Sequence, residues 1–355
     1  MPAAAQYFPT TSMLKRDKGI DLVLCQCSGC GLVQLNNDPV PYFCEVIRAV
    51  GFSESMVEFR KQQFQNFVHR FQLKNKKVLE IGCGRGEYLS IMKQCGAIAS
   101  GIESSQESVI HCQQMGLDVT TGYLDCIDFD LPHKPYDAFF IMSFLEHMPD
   151  PNAALLGMTN NLCASGVGIV EVPNFDMILK HDLFSEFITD HLFYFTKKTL
   201  VALLERNGYE VLSCSPIWHD YILSAIVKKR TPLNLDTFQQ KQIQLKTQFD
   251  QFLSNYPDKS VATWGAGHQA LAILSLAGLA DRIKYVVDSA PFKQGKFTHA
   301  THIPIVSPEY AFQYPPESFV VMAASYSDEV VKIIQNKFEN DVKIAVLRNF
   351  GIESV

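Results

Sequence analysis

The sequence predicts an α/β protein: a doubly wound, mostly parallel sheet followed by a second, smaller α/β domain. Three observations predict it. Between residues 76 and 230 short apolar runs alternate with amphipathic stretches, and the alternation resumes after residue 256. Each regular region opens on an apolar run that ends in a glycine-rich turn, "VLEIGCGRGEYL" and "VATWGAGHQALAIL". Glycines follow several helix-like stretches, where a left-handed residue closes a helix.

The elements follow in order. Residues 1–70 are a mixed segment with a cysteine cluster, "LCQCSGCGLVQL", and a helix over "SESMVEFRKQQFQNFVHRF". Ser53 is its N-cap, and apolar residues recur at helical spacing. Residues 71–230 read as strand "KKVLEIG", helix "GEYLSIMKQCG", strand "IASGIES", helix "QESVIHCQQMG" and short strand "DVTTGY". Strand "YDAFFIMSFLEH", helix "NAALLGMTNNLCASG", strand "GVGIVEVPN" and helix "TKKTLVALLERNG" come next. Gly96, Gly116, Gly166 and Gly208 mark the helix ends. "YEVLSCSPI" and "YILSAIVKK" have no helix between them, which predicts an antiparallel pair. A polar connecting helix occupies residues 231–255. Residues 256–355 hold strands "KSVATWG", "IKYVVDS", "ESFVVMAAS" and "VKIAVLRN", with helices "HQALAILSLAG" and "SDEVVKIIQNKFE".

Bulk properties narrow the function classes. A chain of 355 residues has room for two or three domains, and 47% hydrophobic with 19% charged residues predicts a folded globular protein. A net charge of −6 argues against a broad nucleic-acid footprint. There is no apolar run long enough for a membrane span, and "MPAAAQYFPTTSMLKRDKG" lacks a signal-peptide core, so a cytoplasmic protein with a small-molecule substrate is expected. The cysteines read as reduced thiols, or, at Cys27-x-x-Cys30, as half of a zinc knuckle completed by Cys25 or Cys44.

The first glycine turn carries most of the chemistry. Glu80 precedes Gly82, Gly84 and Gly86, and Glu87 follows. Carboxylates there repel a pyrophosphate and suit a cationic ligand such as S-adenosylmethionine (SAM), which carries an ammonium and a sulfonium. Bare backbone lets such a ligand approach closely. Glu103 ends the next strand, where an acid accepts hydrogen bonds from ribose hydroxyls. His147 follows the fourth strand, and His191 lies in "EFITDHLFYF" beside Asp190 and Tyr194, which are placed to orient it or the substrate. Either histidine suits a general base. The second turn, Gly265-x-Gly267-x-x-Ala270 with Asp288 one strand on, fits a dinucleotide fingerprint.

The motifs "VLEIGCGRGEYL", "GIESS", "YDAFFIMSFLEHMPDP" and "ERNGYEV" resemble the class I SAM-dependent methyltransferases over about residues 76–228. The resemblance implies that Glu80, Gly82, Gly84 and Gly86 hold the methionine end of SAM and that Glu103 holds the ribose. Tyr123 and Leu124 would border the adenine, and Ser143 to His147, with Ser143 and Phe144 first, would line the methyl-transfer pocket. The flanks resemble the sugar C-methyltransferases. "CSGCGLVQL" is similar to their zinc-binding N-terminal module, and "WGAGHQALAIL" with "YVVDSAPFKQGKFTHATHIPIVSPE" to their Rossmann-like C-terminal domain. Where that family tends to show Tyr-x-Glu-His, this chain reads "ITDH", Ile188 to His191. Gly265, His268, Lys293 and His302 are then candidates for holding the nucleotide part of an activated sugar. The expected activity is C-methylation of a nucleotide-linked keto sugar. The alternatives are O- or N-methylation of another small metabolite, an NAD-dependent oxidoreductase, and a non-catalytic SAM-binding module.

Overall fold

A computed structural model describes residues 1–4, 6, 8–45, 53–338, 342–349 and 351–355. The chain forms two compact units, Met1–Pro232 and Leu233–Val355. The first begins with β1 (Leu24–Gln26), β2 (Val33–Leu35) and α1 (Glu54–Arg70). Alternation then sets in with β3 (Lys77–Ile81), α2 (Glu87–Gln94), β4 (Ile98–Glu103), α3 (Gln106–Gln114), β5 (Asp118–Thr121), β6 (Tyr136–Met142), α4 (Pro151–Asn161) and β7 (Leu162–Pro173). The unit closes with α5 (Phe175–Lys180), β8 (Phe193–Tyr194), α6 (Lys197–Arg206), β9 (Tyr209–Ile217) and β10 (Ile222–Lys229).

Local chemistry explains the helix starts. Ser53 accepts from Met56 N–H, Ser105 from Ser108 N–H, and Asp150 from the N–H groups of Asn152 and Ala153 ahead of Pro151. Thr196 and Thr199 form a capping box. Among the described residues the main sheet has the order β5-β4-β3-β6-β7-β10-β9. Its strands are parallel except β10, which runs antiparallel to both β7 and β9, as the missing helix predicted. One core packs on the face of Leu79, Ile81, Phe139 and Ile141, and another on the face of Val78, Ala138, Phe140 and Ile169. Burial on both faces is why these central strands are nearly uniformly apolar.

The structure corrects two elements. Strand β6 ends at Met142 and gives way to a 3-10 turn at Leu145–His147. Helix α4 ends at Asn161, and Gly166 lies inside β7 rather than at a helix end. The cause is Asn161, whose side chain donates to the carbonyls of Gly157 and Phe129 and accepts from Leu131 N–H. That competition for backbone groups ends the helix.

The second unit holds α7 (Asp236–Leu253), β11 (Val261–Trp264), α8 (His268–Leu276), β12 (Ile283–Val287), β13 (Ile305–Val306), α9 (Pro308–Gln313), β14 (Ser318–Val321), α10 (Ser327–Phe338), β15 (Lys343–Arg348) and β16 (Gly351–Ser354). The expected end of its last helix, residue 339, lies outside the described residues. The sheet order is β13-β12-β11-β14-β15-β16, with β16 antiparallel to β15. Elements β13, α9 and β16 add to the sequence reading. No helix among the described residues is long and apolar enough to cross a membrane.

Candidate active site

The carboxyl ends of β3, β4 and β6 converge where open α/β sheets bind ligands. Gly82, Glu103, Tyr123, Leu124 and Phe144 line one small pocket there, so the structure brings these expected residues together. Glu80 is fully buried on β3. Gly82 and Gly84 have left-handed φ of 68° and 55° but for different reasons. A Cβ on Gly82 would sit 2.5 Å from the Phe144 ring, whereas one on Gly84 would meet nothing within 4 Å. Gly84 therefore presents the open backbone that a ligand would cover, and the residues fit the methionine end of SAM. Glu103 is committed to the protein: it accepts from Gly84 N–H at 2.8 Å and from Ser105 N–H at 2.9 Å. It acts first as the clamp of the turn.

Beyond β6, Ser143 takes a left-handed φ of 50°, unusual for a residue with a side chain, and donates its N–H to the Glu171 carbonyl. The sharp turn brings Phe144 over Gly82. From Phe144 a row of rings leads away: His147 at 6.3 Å, then His191 edge-on to His147 at 4.8 Å, then Tyr194 at 6.2 Å from His191.

The histidines are neutral, His147 buried and His191 half-buried. Burial pushes His147 down to about 4 and His191 down to about 3, with the nearby His147 adding to the second shift. His147 Nδ1–H donates to the Asp190 carbonyl at 2.7 Å, which leaves its Nε2 with a lone pair. Glu146, within the Ser143 to His147 stretch expected to line the pocket, is buried with Oε1 3.9 Å from that Nε2. Atoms of Glu146, His147 and His191 lie within 4.8 Å of one another, wider than the roughly 3.4 Å between donors sharing a tetrahedral ion.

Two expected roles change. The Asp190 carboxylate accepts from Tyr42 O–H and Thr189 O–H, and the residue orients His147 through its backbone rather than His191 through its side chain. Tyr194 O–H donates to the Ile188 carbonyl and accepts Ile188 N–H, so it braces the loop before His191. Sequence reasoning also missed Arg60. This α1 residue is buried, pairs with Glu171 on β7 at 2.5 Å and lies 5.0 Å over the Tyr88 ring at the start of α2. It ties α1 to the cofactor end of the sheet.

In the second unit Gly265 has φ 115°, and a Cβ there would meet the Met322 carbonyl at 2.6 Å. His268 and His302 are exposed. Lys293 donates to Asp288 at 2.9 Å and to the Ala266 carbonyl at 3.1 Å. Cys27 and Cys30 are exposed thiols that share a tight turn, in which Gly31 N–H donates to the Cys27 carbonyl. They offer two donors where structural zinc takes four, and among the described residues no third donor joins them. The pair alone does not fit a zinc site.

A doubly wound sheet with one reversed strand, and a glycine turn clamped by the acid of the next strand, defines the class I methyltransferase fold. Residues 56–214 match the methyltransferase domain family, and residues 227–347 match the C-methyltransferase C-terminal domain. The chain is a SAM-dependent methyltransferase that carries this C-terminal domain. It is 22% identical to the C-methyltransferase NovU of Streptomyces niveus, across 92% of this chain and 85% of that one. It is 34% identical over 87 residues to the ubiquinone biosynthesis O-methyltransferase of Thiobacillus denitrificans, a match spanning 23% of this chain and 38% of the relative. A solved SAM-dependent methyltransferase from Clostridium acetobutylicum aligns at TM-score 0.42 and 12% identity, covering 53% of this chain and 96% of that one.

Proposed function

We propose that the protein methylates a carbon of a nucleotide-linked keto sugar, with His191 as general base. Bound SAM supplies an electrophilic methyl group on a sulfonium. Glu80, Gly82 and Gly84 seat its methionine end, and Tyr123 with Leu124 borders its adenine. His191 takes the proton alpha to the sugar carbonyl, which leaves that carbon nucleophilic towards the methyl group that SAM would supply, with S-adenosylhomocysteine as the leaving group. His147 stands beside His191, its tautomer fixed by the Asp190 carbonyl, and relays the proton. The nucleotide part of the acceptor is assigned to Gly265, His268, Lys293 and His302 of the second unit. One observation carries the reading: two neutral imidazoles in ring contact, one buried and one half-buried, next to the Phe144 that covers the glycine turn.

The test uses isotopically labelled SAM with a panel of nucleotide-linked keto sugars, scored for label on carbon. His191→Ala should lower kcat strongly and leave SAM affinity as it was. Because both histidines titrate well below an ordinary imidazole, the acid limb of kcat/KM should lie well below about 6.5. The base is deprotonated above its folded pKa, so lowering the pH from 7.5 to 5.5 should cost little rate. An acid limb at the ordinary histidine value, or label on oxygen or nitrogen, would overturn the assignment.

A further inference from the structure

The two ends of the expected SAM seat differ. Gly84 is bare, with nothing within 4 Å of where a Cβ would stand, so the methionine end is open. The adenine end is shut. Gly82, Ser104, Tyr123, Leu124 and Phe144 line a cavity of only about 170 Å³ there. Pockets for ligands of SAM's size hold roughly 300–1,000 Å³. A segment distant in sequence lies across that end. Residues 42–44 run into a 3-10 turn, Phe43–Glu45, and Phe43 N–H donates to the Val40 carbonyl at 3.0 Å. The Phe43 ring stands edge-on to Tyr123 at 5.7 Å, and Tyr123 stands edge-on to Phe144 at 6.2 Å. Ser104 O–H donates to the Cys44 carbonyl. One residue earlier, Tyr42 O–H donates to the Asp190 carboxylate at 2.9 Å, and the Asp190 carbonyl fixes the tautomer of His147. Three consecutive residues thus join the adenine wall to the histidine site. The strand ends beneath them are locked in the sheet ladder, whereas residues 42–44 are half-buried and belong to no strand. They are the part of the wall that can yield.

We propose that residues 42–44 are a gate on the cofactor pocket, shut in this structure and released as the adenine enters, which rests on SAM being seated on the 82–86 turn with its adenine against Tyr123. Consecutive residues do not move independently. Lifting Phe43 from Tyr123 and Cys44 from Ser104 draws the Tyr42 hydroxyl away from Asp190. Entry of SAM at one end therefore loosens the loop that carries His191 at the other. The coupling is reciprocal: whatever weakens the Tyr42–Asp190 bond favours SAM. A pocket that is open for only a fraction of the time binds with its affinity reduced by that fraction. The reduction falls on the association rate, because a bound SAM leaves from the open state in either case.

SAM association and dissociation rates are measured by surface plasmon resonance on the full-length protein, comparing wild type with Tyr42→Phe, Phe43→Ala and Phe43→Leu. Tyr42→Phe removes a single hydroxyl, at the histidine end of the gate. It should tighten SAM binding at least about fivefold, through faster association with dissociation unchanged. Phe43→Ala should tighten it by at least as much from the adenine end, with Phe43→Leu between it and the wild type. The proposal is overturned if Tyr42→Phe associates with SAM no faster than the wild type does. It is overturned equally if the folded Phe43 variants bind SAM more weakly, which would make Phe43 a fixed wall of the pocket. If Phe43→Ala does not fold, Tyr42→Phe and Phe43→Leu decide the matter. Wild type that fails to bind SAM would instead overturn the cofactor reading, and the gate with it.

Discussion

Glu103 closes the first glycine turn with both oxygens, on Gly84 N–H and Ser105 N–H. Asp288 does the same in the second unit, accepting Ala266 N–H on one oxygen and Ala290 N–H on the other. Lys293 reinforces Asp288, and with the backbone bonds it holds that carboxyl below its ordinary value despite the opposing effect of burial. An acid one strand beyond a glycine turn thus does not by itself distinguish SAM from a dinucleotide, because each is engaged by its own backbone. The glycines discriminate better. Gly84→Ala places a methyl where nothing lies within 4 Å, at a left-handed φ of 55°. Stability should fall by only about 1–2 kcal/mol, the cost of that backbone conformation for a side chain. SAM affinity should fall by at least about tenfold. Gly82→Ala instead drives a methyl into the Phe144 ring and should destabilise the protein even without SAM. A Gly84→Ala protein that binds SAM like the wild type would place the cofactor elsewhere.

At the scale of elements, α1 is fixed by polar contacts as well as by its apolar stripe of Met56, Phe64, Phe67 and Val68. Arg60 and Gln63 both reach Glu171 on β7, and Ser224 on β10 donates to the same carboxylate at 2.8 Å. Arg60 and Glu171 are each essentially buried, so removing one leaves an uncompensated charge. Arg60→Leu should cost about 3–5 kcal/mol in urea unfolding, and Arg60→Leu with Glu171→Leu should recover most of it. A double variant as unstable as the single one would show that the cost is packing and not charge. The same helix shows what the sequence made legible. Its span and N-cap followed from periodicity and Ser53, as did the alternating strands and the reversed β10. Arg60 was not legible, because a charged residue in an amphipathic stretch reads as solvent-facing until its partner in another element is known. Strands β1, β2, β13 and β16 are two to four residues long, too short for a period to register. Gly166 misled because a glycine after a helical stretch has two readings, and the hydrogen bonds of Asn161, set by tertiary packing, chose the strand.

For the whole molecule, the distribution of the cores decides what should fold alone. Among the described residues each cluster of buried apolar side chains belongs to one unit: those around Phe139, Phe140 and Tyr194 to Met1–Pro232, and those around Phe249 and Phe319 to Leu233–Val355. The second unit has its own sheet, with helix α7 contributing Phe249 and Leu253 to its core. A stretch with a complete core and sheet meets the physical requirement for independent folding. Residues 233–355 expressed alone should therefore melt in one cooperative transition, followed by circular dichroism, and should show no heat of binding with SAM. Residues 1–232 alone contain the glycine turn, its Glu103 clamp and both histidines, and should bind SAM with the affinity of the full chain. If the second unit holds the nucleotide part of the acceptor, the 1–232 fragment should nevertheless fail to methylate a nucleotide-linked keto sugar that the full chain accepts. Full turnover by that fragment would remove the second unit from acceptor binding. A 233–355 fragment that melts without cooperativity would show that its core depends on the rest of the chain.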